Sequence, residues 1–251
     1  MKQPALPHID TTLVPLSERM RPQSMEQFFG QCHLLGKGKL LRHVIDNREL
    51  YSLILWGPPG SGKTTLARII AETSHARFIS LSAVTAGIKD IRAVMGKAAP
   101  DLENQGIQTI LFIDEIHRFN KAQQDALLPH VEKGHIVLIG ATTENPSFEV
   151  IAPLLSRTKV MVLKPLPDTE LSNIMSRALN DKEHGLGSLN INAENGALDY
   201  ISAYAQGDAR VALNTLELAA MLSVPDESDQ RTISRQTVEE ALQKKMLRYD
   251  K

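Results

Sequence analysis

Apolar residues follow two regimes along this chain. In the first two thirds, short continuous apolar runs alternate with stretches where apolar residues recur every three or four positions; in the last third only the second pattern remains. Continuous runs bounded by turn signals predict buried strands, and the helical spacing between them predicts the layers that cover those strands. The predicted strands are Leu53-Ile54-Leu55-Trp56, Phe78-Ile79-Ser80-Leu81, Thr109 to Ile113, His135 to Gly140, and Lys159 to Leu163. Helices are predicted through Leu40, Leu41, Val44 and Ile45 to Asn47, from Thr65 to Ile70, from Ile88 to Ala98, and through Ala126, Leu127 and Val131 to Gly134. A short one containing Ile151, Leu154 and Leu155 is placed behind a Ser147 cap and ends at Ser156-Arg157. Alternation of this kind predicts an α/β domain with a five-stranded parallel sheet between two helical layers.

Pro165 and Pro167 mark a boundary. Beyond it lie four helical patterns, 169–180, 193–205, 209–223 and 235–246, with Asp168, Asn192, Asp208 and Ser234 as expected N-caps and Gly207 as a C′ glycine. The expected organisation is therefore a flexible arm over 1–16, which carries three prolines, an α/β domain over 17–164 and a small all-helical domain over 165–251.

Composition narrows the function only by exclusion. With 42% apolar and 23% charged residues the chain has globular composition, which excludes a largely disordered protein. The net charge of −1 announces no nucleic-acid surface, so any such contact must come from a local patch. Cys32 is the single cysteine, no basic segment leads into an apolar core at the N-terminus, and no apolar run approaches the roughly 20 residues that span a bilayer, so a cytoplasmic protein is expected. His130 and His135 lack cysteine partners and read as solvated or core histidines rather than zinc ligands.

Candidate chemistry sits at the ends of the predicted strands. Gly57-Pro58-Pro59-Gly60-Ser61-Gly62-Lys63-Thr64 has the spacing G-x-x-x-x-G-K-T between a strand and a helix, the context that a phosphate-binding P-loop requires. Small residues from Pro58 to Gly62 let backbone N–H groups turn inward around phosphates, Lys63 faces the β and γ phosphates, Thr64 offers a hydroxyl to Mg²⁺, and Thr65 opens the helix. The third strand ends in Asp114-Glu115, a Walker B pattern in which Asp114 orders Mg²⁺ and Glu115 orients the attacking water. Thr143, at the end of the fourth strand, lies level with Asp114 and is a candidate for hydrogen bonding the γ-phosphate or the water; a polar turn is the alternative. Guanine-specific P-loop proteins carry Asn-Lys-x-Asp, but Asn120-Lys121-Ala122-Gln123 ends in an amide and reads as a capping box, so ATP is expected over GTP. Arg210, in the first turn of the third helix of the last domain, sits where the helix dipole disfavours a cation, which points to an anion facing it or to a solvated arginine.

Walker A, Walker B, a polar strand end, an arginine-bearing helix and a helical lid resemble the AAA+ ATPase pattern over residues 17–246, in its clamp-loader clade. Within that clade Glu115-Ile116-His117-Arg118-Phe119-Asn120-Lys121, Gly140-Ala141-Thr142-Thr143-Glu144-Asn145-Pro146-Ser147-Phe148 and Gly207-Asp208-Ala209-Arg210 resemble the replication-associated recombination protein A family, whose eukaryotic relative is the Werner-helicase-interacting ATPase. The resemblance implies that the segment 21–31, including Arg21, Pro22, Phe29 and Gly30, contacts adenine, that Thr143 is sensor 1, that Arg157 is an arginine finger reaching a neighbour's ATP, and that Arg210 is sensor 2. It further implies Mg²⁺- and DNA-dependent ATP hydrolysis at stalled forks and single-strand gaps, nucleoid association, and single-strand-binding protein as a partner. Basic clusters at Lys89, Arg92 and Lys97, and at Arg118 and Lys121, would line the inside of a ring; a solvated helix face is the alternative. Family members continue beyond the lid with a helical domain that assembles a tetramer, whereas this sequence stops at Lys251, so the expectation for the 251-residue chain is an AAA+ module that is mostly monomeric. Competing readings are a clamp-loader subunit or branch-migration motor, a scaffold that binds nucleotide without hydrolysing it, and a small-molecule kinase. Glu115 speaks against the scaffold, and no acceptor pocket is legible for the kinase.

Overall fold

The computed structural model describes residues 14–249, with side chains up to 243; the expected arm therefore lies almost wholly outside the described residues. The chain divides into two compact units, one of residues 22–165 and one that joins the segment up to Arg21 to residues 166–251.

The α/β unit holds five parallel strands, β1 (Leu53–Trp56), β2 (Arg77–Ser82), β3 (Thr109–Asp114), β4 (Ile136–Thr142) and β5 (Lys159–Val162), in the order β2-β3-β4-β1-β5. The order places the ends of β1, β4 and β3 side by side. Leu53, Leu55, Ile110, Phe112 and Ile139 pack one face against Leu66, Ala67 and Ile70 of the helix Lys63–Thr73, with Leu41 and Ile45 of Leu40–Asp46. Ile54, Leu111, Ile113 and Leu138 pack the other face against Ile91, Val94 and Met95 of the helix Ile88–Gln105, Leu127 of Lys121–Glu132, and Leu154. Coverage on both faces explains why β3 and β4 read as continuous apolar runs, whereas the edge strands β2 and β5 are mixed.

The Ile88–Gln105 helix runs past the Ala98 limit set by the pattern and contains Pro100. Pro100 and Gly96, whose carbonyl loses its donor, are both exposed, so water can take that carbonyl. Asn120 and Gln123 form the expected capping box: the Asn120 carbonyl oxygen accepts from the Gln123 N–H at 2.9 Å, and the Gln123 oxygen from the Asn120 N–H at 3.0 Å. Ser147 does not cap. Asn145 takes that role for the short helix Pro146–Glu149, and Ala152–Leu155 forms separately behind Ile151.

The second unit packs the helices Asp168–Asn180, Ala197–Ala205, Ala209–Leu222 and Arg235–Tyr249 around Leu171, Met175, Ile201, Leu216 and Val238. Asp208 and Ser234 cap as expected, and Gly207 has φ 87°. Asp168 instead lies inside the first turn, behind Pro167. Asn192 belongs to a strand, β6 (Ile191–Ala193), which pairs in parallel with β7 (Arg231–Ile233), so the helical unit carries a short ladder that three-residue runs could not announce. The segment Leu16–Arg19, grouped by the pattern mostly with the α/β domain, is a helical turn whose contacts belong to this unit. Leu16 and Met20 are buried, Arg19 pairs with Glu217 at 2.8 Å, and Arg177 donates to the Met20 carbonyl. Burial of the Arg177 guanidinium, only partly relieved by Asp181, lowers its pKa.

Candidate nucleotide-binding site

Where β1 ends, the chain turns sharply. The Gly57 N–H donates to the Thr142 carbonyl at 3.1 Å, which ties the loop to the end of β4. Gly60 and Gly62 then take φ of 66° and 98°, a region that strains side-chain-bearing residues. A Cβ on Gly57 would lie 2.5 Å from the Leu163 carbonyl oxygen, and one on Gly62 would lie 2.8 Å from Cζ of Phe28. The cradle therefore admits backbone only. Its far side is the N-terminus of the helix Lys63–Thr73, whose first N–H groups have no acceptor within the helix. Lys63 is buried, and its ammonium donates to the carbonyls of Gly57 at 2.7 Å and Pro58 at 2.9 Å; Ser61 Oγ also donates to Pro58, at 2.8 Å. Carbonyls thus hold the cation at the loop. Thr64 follows half-buried, and Thr65 is buried within the helix.

On the far side of β4, β3 delivers Asp114 and Glu115, both half-buried. Glu115 has φ 54° and ψ 48°, a left-handed conformation costing a non-glycine residue about 1 kcal/mol or more. His117 Nδ1 lies 3.2 Å from Glu115 Oε2 and 2.9 Å from Thr142 Oγ1. Thr142 Oγ1 also accepts from the Glu144 N–H at 3.0 Å, and Thr143 follows it, half-buried. Loop amides, an ammonium, two carboxylates and a polar strand end therefore belong to three adjacent strand ends. A hydroxyl and a carboxylate beside a loop of backbone N–H groups suit Mg²⁺, which takes oxygen ligands, retains water and is shared with phosphates rather than caged by protein. No group of three His, Cys, Asp or Glu side chains that could hold a metal occurs among the described residues.

Comparison with known proteins agrees with this geometry. Residues 53–166 match the model of the ATPase family associated with various cellular activities (AAA), and residues 187–251 match that of the AAA C-terminal domain. The chain belongs to the AAA family of ATPases. It is 49% identical over 239 residues to a Haemophilus influenzae protein named Replication-associated recombination protein A, covering 94% of this chain and 53% of that one. It is 45% identical over 250 residues to the Escherichia coli K12 protein of the same name, covering 100% and 56%. The chain thus spans about half the length of the curated relatives it matches. Among solved structures, the Thermotoga maritima RuvB Holliday junction branch migration motor superposes with a TM-score of 0.70 at 28% identity, over 90% of this chain and 72% of that one.

Other expected site residues of this AAA chain fall elsewhere. Arg157 precedes β5, whose Lys159 pairs with Leu53 at the start of β1, so it lies at the amino ends of the strands, opposite the P-loop. There its guanidinium contacts Glu132 Oε1 at 2.6 Å and donates to the Pro153 carbonyl and Ser156 Oγ, both at 2.9 Å. Arg210 is exposed in the first turn of its helix, where Asp208 Oδ1 accepts from its backbone N–H at 2.8 Å. Arg21 pairs with Glu18 in the helical unit, whereas Pro22, Phe29 and Gly30 belong to the α/β unit.

Three residues to which the sequence pattern assigns no individual role touch the site's framework. Gln31 is buried with φ 56°; its amide donates to the carbonyls of Lys164 at 2.7 Å and Ser61 at 3.3 Å, and its oxygen accepts from the Lys164 N–H at 3.0 Å. It fastens the P-loop to the segment leaving β5. His117 and Thr142 are the other two. Both stand inside the strings that carried the family resemblance, but neither has a spacing rule that would single it out.

Proposed function

We propose that this chain is the Mg²⁺-dependent ATP-hydrolysing module of a replication-associated recombination ATPase, acting on forked, gapped or single-stranded DNA alongside single-strand-binding protein. The observation that carries the reading is the strand order, which sets the P-loop, the Thr142-Thr143 end and Asp114-Glu115 on adjacent strands β1, β4 and β3. In this reading the backbone of Pro58 to Gly62 wraps the phosphates and Lys63 turns from its loop carbonyls to neutralise them. Thr64 and Asp114 hold Mg²⁺, which supplies charge neutralisation across the phosphates when bound. Glu115 orients water, and Thr143 steadies the γ-phosphate side. Pro22, Phe29 and Gly30 border the adenine, and Arg21 and Arg210 keep the nucleotide-binding roles that the family resemblance implies. Arg157 acts on a neighbour's nucleotide, in line with its place at the opposite ends of the strands from its own P-loop.

The name carried by the bacterial relatives supports the setting of recombination associated with replication, and with that setting the proposed place is the nucleoid in the cytoplasm. Among the described residues no helix is long and apolar enough to cross a membrane. The likeness to RuvB favours a second reading, a motor acting on four-way junctions. ATP turnover measured alone and with single-stranded, forked and four-way-junction DNA separates the two. Stimulation by forked or single-stranded DNA is expected. Stimulation by the junction alone favours the second reading, and turnover unaffected by Lys63→Ala overturns both.

A further inference from the structure

Glu115 is the water-orienting carboxylate in the reading above, yet its own support is thin. Its Oε2 is buried and accepts no hydrogen bond from the described residues, although His117 Nδ1 stands 3.2 Å from it. The same nitrogen lies closer, at 2.9 Å, to Thr142 Oγ1. One ring nitrogen carries at most one hydrogen, so it cannot donate to both oxygens at full strength. The Thr142 hydroxyl has an alternative, because the Glu144 carbonyl lies 3.3 Å from Oγ1 while the Glu144 N–H donates to it. When the hydroxyl turns toward Glu144, His117 Nδ1–H is left to the carboxylate. When the hydroxyl donates to Nδ1, that nitrogen holds no hydrogen for Glu115.

We propose that His117 is the positioning residue for Glu115, sharing Nδ1 between that carboxylate and Thr142 so that the end of β4 controls when Glu115 is held for attack. This deepens the ATPase reading and rests on it. Three observations converge. Glu115 is held in a left-handed conformation that aims its side chain back toward the short turn Ile116–Arg118, where His117 sits. Ile116 is fully buried, which fixes that turn beneath β4. Thr142 is itself buried and its carbonyl anchors Gly57 of the P-loop, so a shift at the phosphate cradle reaches the Thr142 side chain through one residue. Once His117 Nδ1–H turns to the carboxylate, the chain from Thr142 to Glu115 is hydrogen-bonded throughout, and such chains couple their members more strongly than isolated pairs.

The test compares wild type, His117→Ala, His117→Asn, Glu115→Gln and the double variant His117→Ala/Glu115→Gln in the full chain. Affinity for a fluorescent ATP analogue, single-turnover ATP hydrolysis and thermal melting are read for each. His117→Ala is expected to change affinity by less than about threefold but to lower the hydrolysis rate roughly tenfold to a hundredfold, the scale of a misplaced reacting group. Asparagine, whose side-chain N–H₂ falls near Nδ1, should restore most of the rate. In the Glu115→Gln background His117→Ala should add less than about threefold, because the group it positions is gone. An unchanged rate in His117→Ala, an asparagine variant no better than alanine at equal melting temperature, or the same fold loss in both backgrounds would each overturn the assignment. If Glu115→Gln hydrolyses ATP like wild type, the ATPase reading of Glu115 falls first, and with it the reason for holding it.

Discussion

Lys63 and Glu115 stand on opposite sides of β4 but differ in what they face. Lys63 is held by two loop carbonyls; in the proposed reading it exchanges those bonds for phosphate charge present in the ground state, whereas Glu115 acts chiefly as water is positioned for attack. Lys63→Ala is therefore expected to abolish ATP binding, and Glu115→Gln to bind ATP within severalfold of wild type while losing turnover. Equilibrium binding and steady-state hydrolysis check this; an equal loss of affinity in both variants contradicts it. Gln31 makes a different prediction. Its side chain satisfies the Lys164 N–H and two carbonyls in a buried setting, so Gln31→Ala leaves those groups unpaired and should cost about 2 kcal/mol of stability. Urea unfolding measures it, and a loss below about 0.5 kcal/mol would make the clamp dispensable.

The helix Ile88–Gln105 buries Ile91, Val94, Met95 and Ala98 and leaves Lys89, Arg92 and Lys97 exposed. Arg118 and Lys121, after Walker B, are exposed as well. The helix is held by its apolar stripe, so its cations can be removed without touching the core. Lys89→Ala with Arg92→Ala should leave the melting temperature near wild type. If those side chains meet phosphates, DNA affinity falls across all sequences and its salt slope flattens by about one per lost contact. Titrations of single-stranded DNA at several salt concentrations decide it, and unchanged affinity and slope return both residues to a solvated face. At this scale the sequence pattern was readable where an element carried several apolar positions: every strand of the five-stranded sheet and each long helix had enough of them to declare itself. Short elements were not. Three-residue β6 and β7 depend on each other for pairing, and the four-residue turns Pro146–Glu149 and Ala152–Leu155 are separated by caps that only backbone geometry distinguishes.

For the whole molecule, the parallel register sets Arg157 at the amino ends of the strands, and in the proposed reading its guanidinium serves another copy. Turnover per chain should then rise with protein concentration, and Arg157→Ala should abolish that rise while leaving ATP affinity intact, since a finger in trans contributes on the order of 10³ to 10⁵ in rate. Mixing Arg157→Ala with Lys63→Ala should restore activity above that of either variant alone, because one supplies a working P-loop and the other a working finger. Turnover independent of concentration, together with no complementation on mixing, would refute action in trans. Glu132, which now pairs with Arg157, must release it for this contact.

The sequence alone determined the chemistry of the P-loop and of Asp114-Glu115, because glycine spacing, a following lysine and threonine, and acids at the end of an apolar run are local patterns tied to local backbone geometry. It also determined the inner strands β1, β3 and β4, since a strand buried on both faces has no polar face to blur it, and the edge strands β2 and β5 through short apolar runs. Tertiary structure alone decided the rest. That β4 lies between β1 and β3 depends on pairing between residues far apart in the chain, and this ordering brings Thr142 to Gly57 and to His117. Gln31 could be recognised as a clamp only once Ser61 and Lys164 were near it, and Leu16–Arg19 as part of the helical unit only once Glu217 and Arg177 were placed. A polar side chain advertises in sequence that it needs a partner, but which partner it finds is set by which distant segments the fold brings within hydrogen-bonding distance.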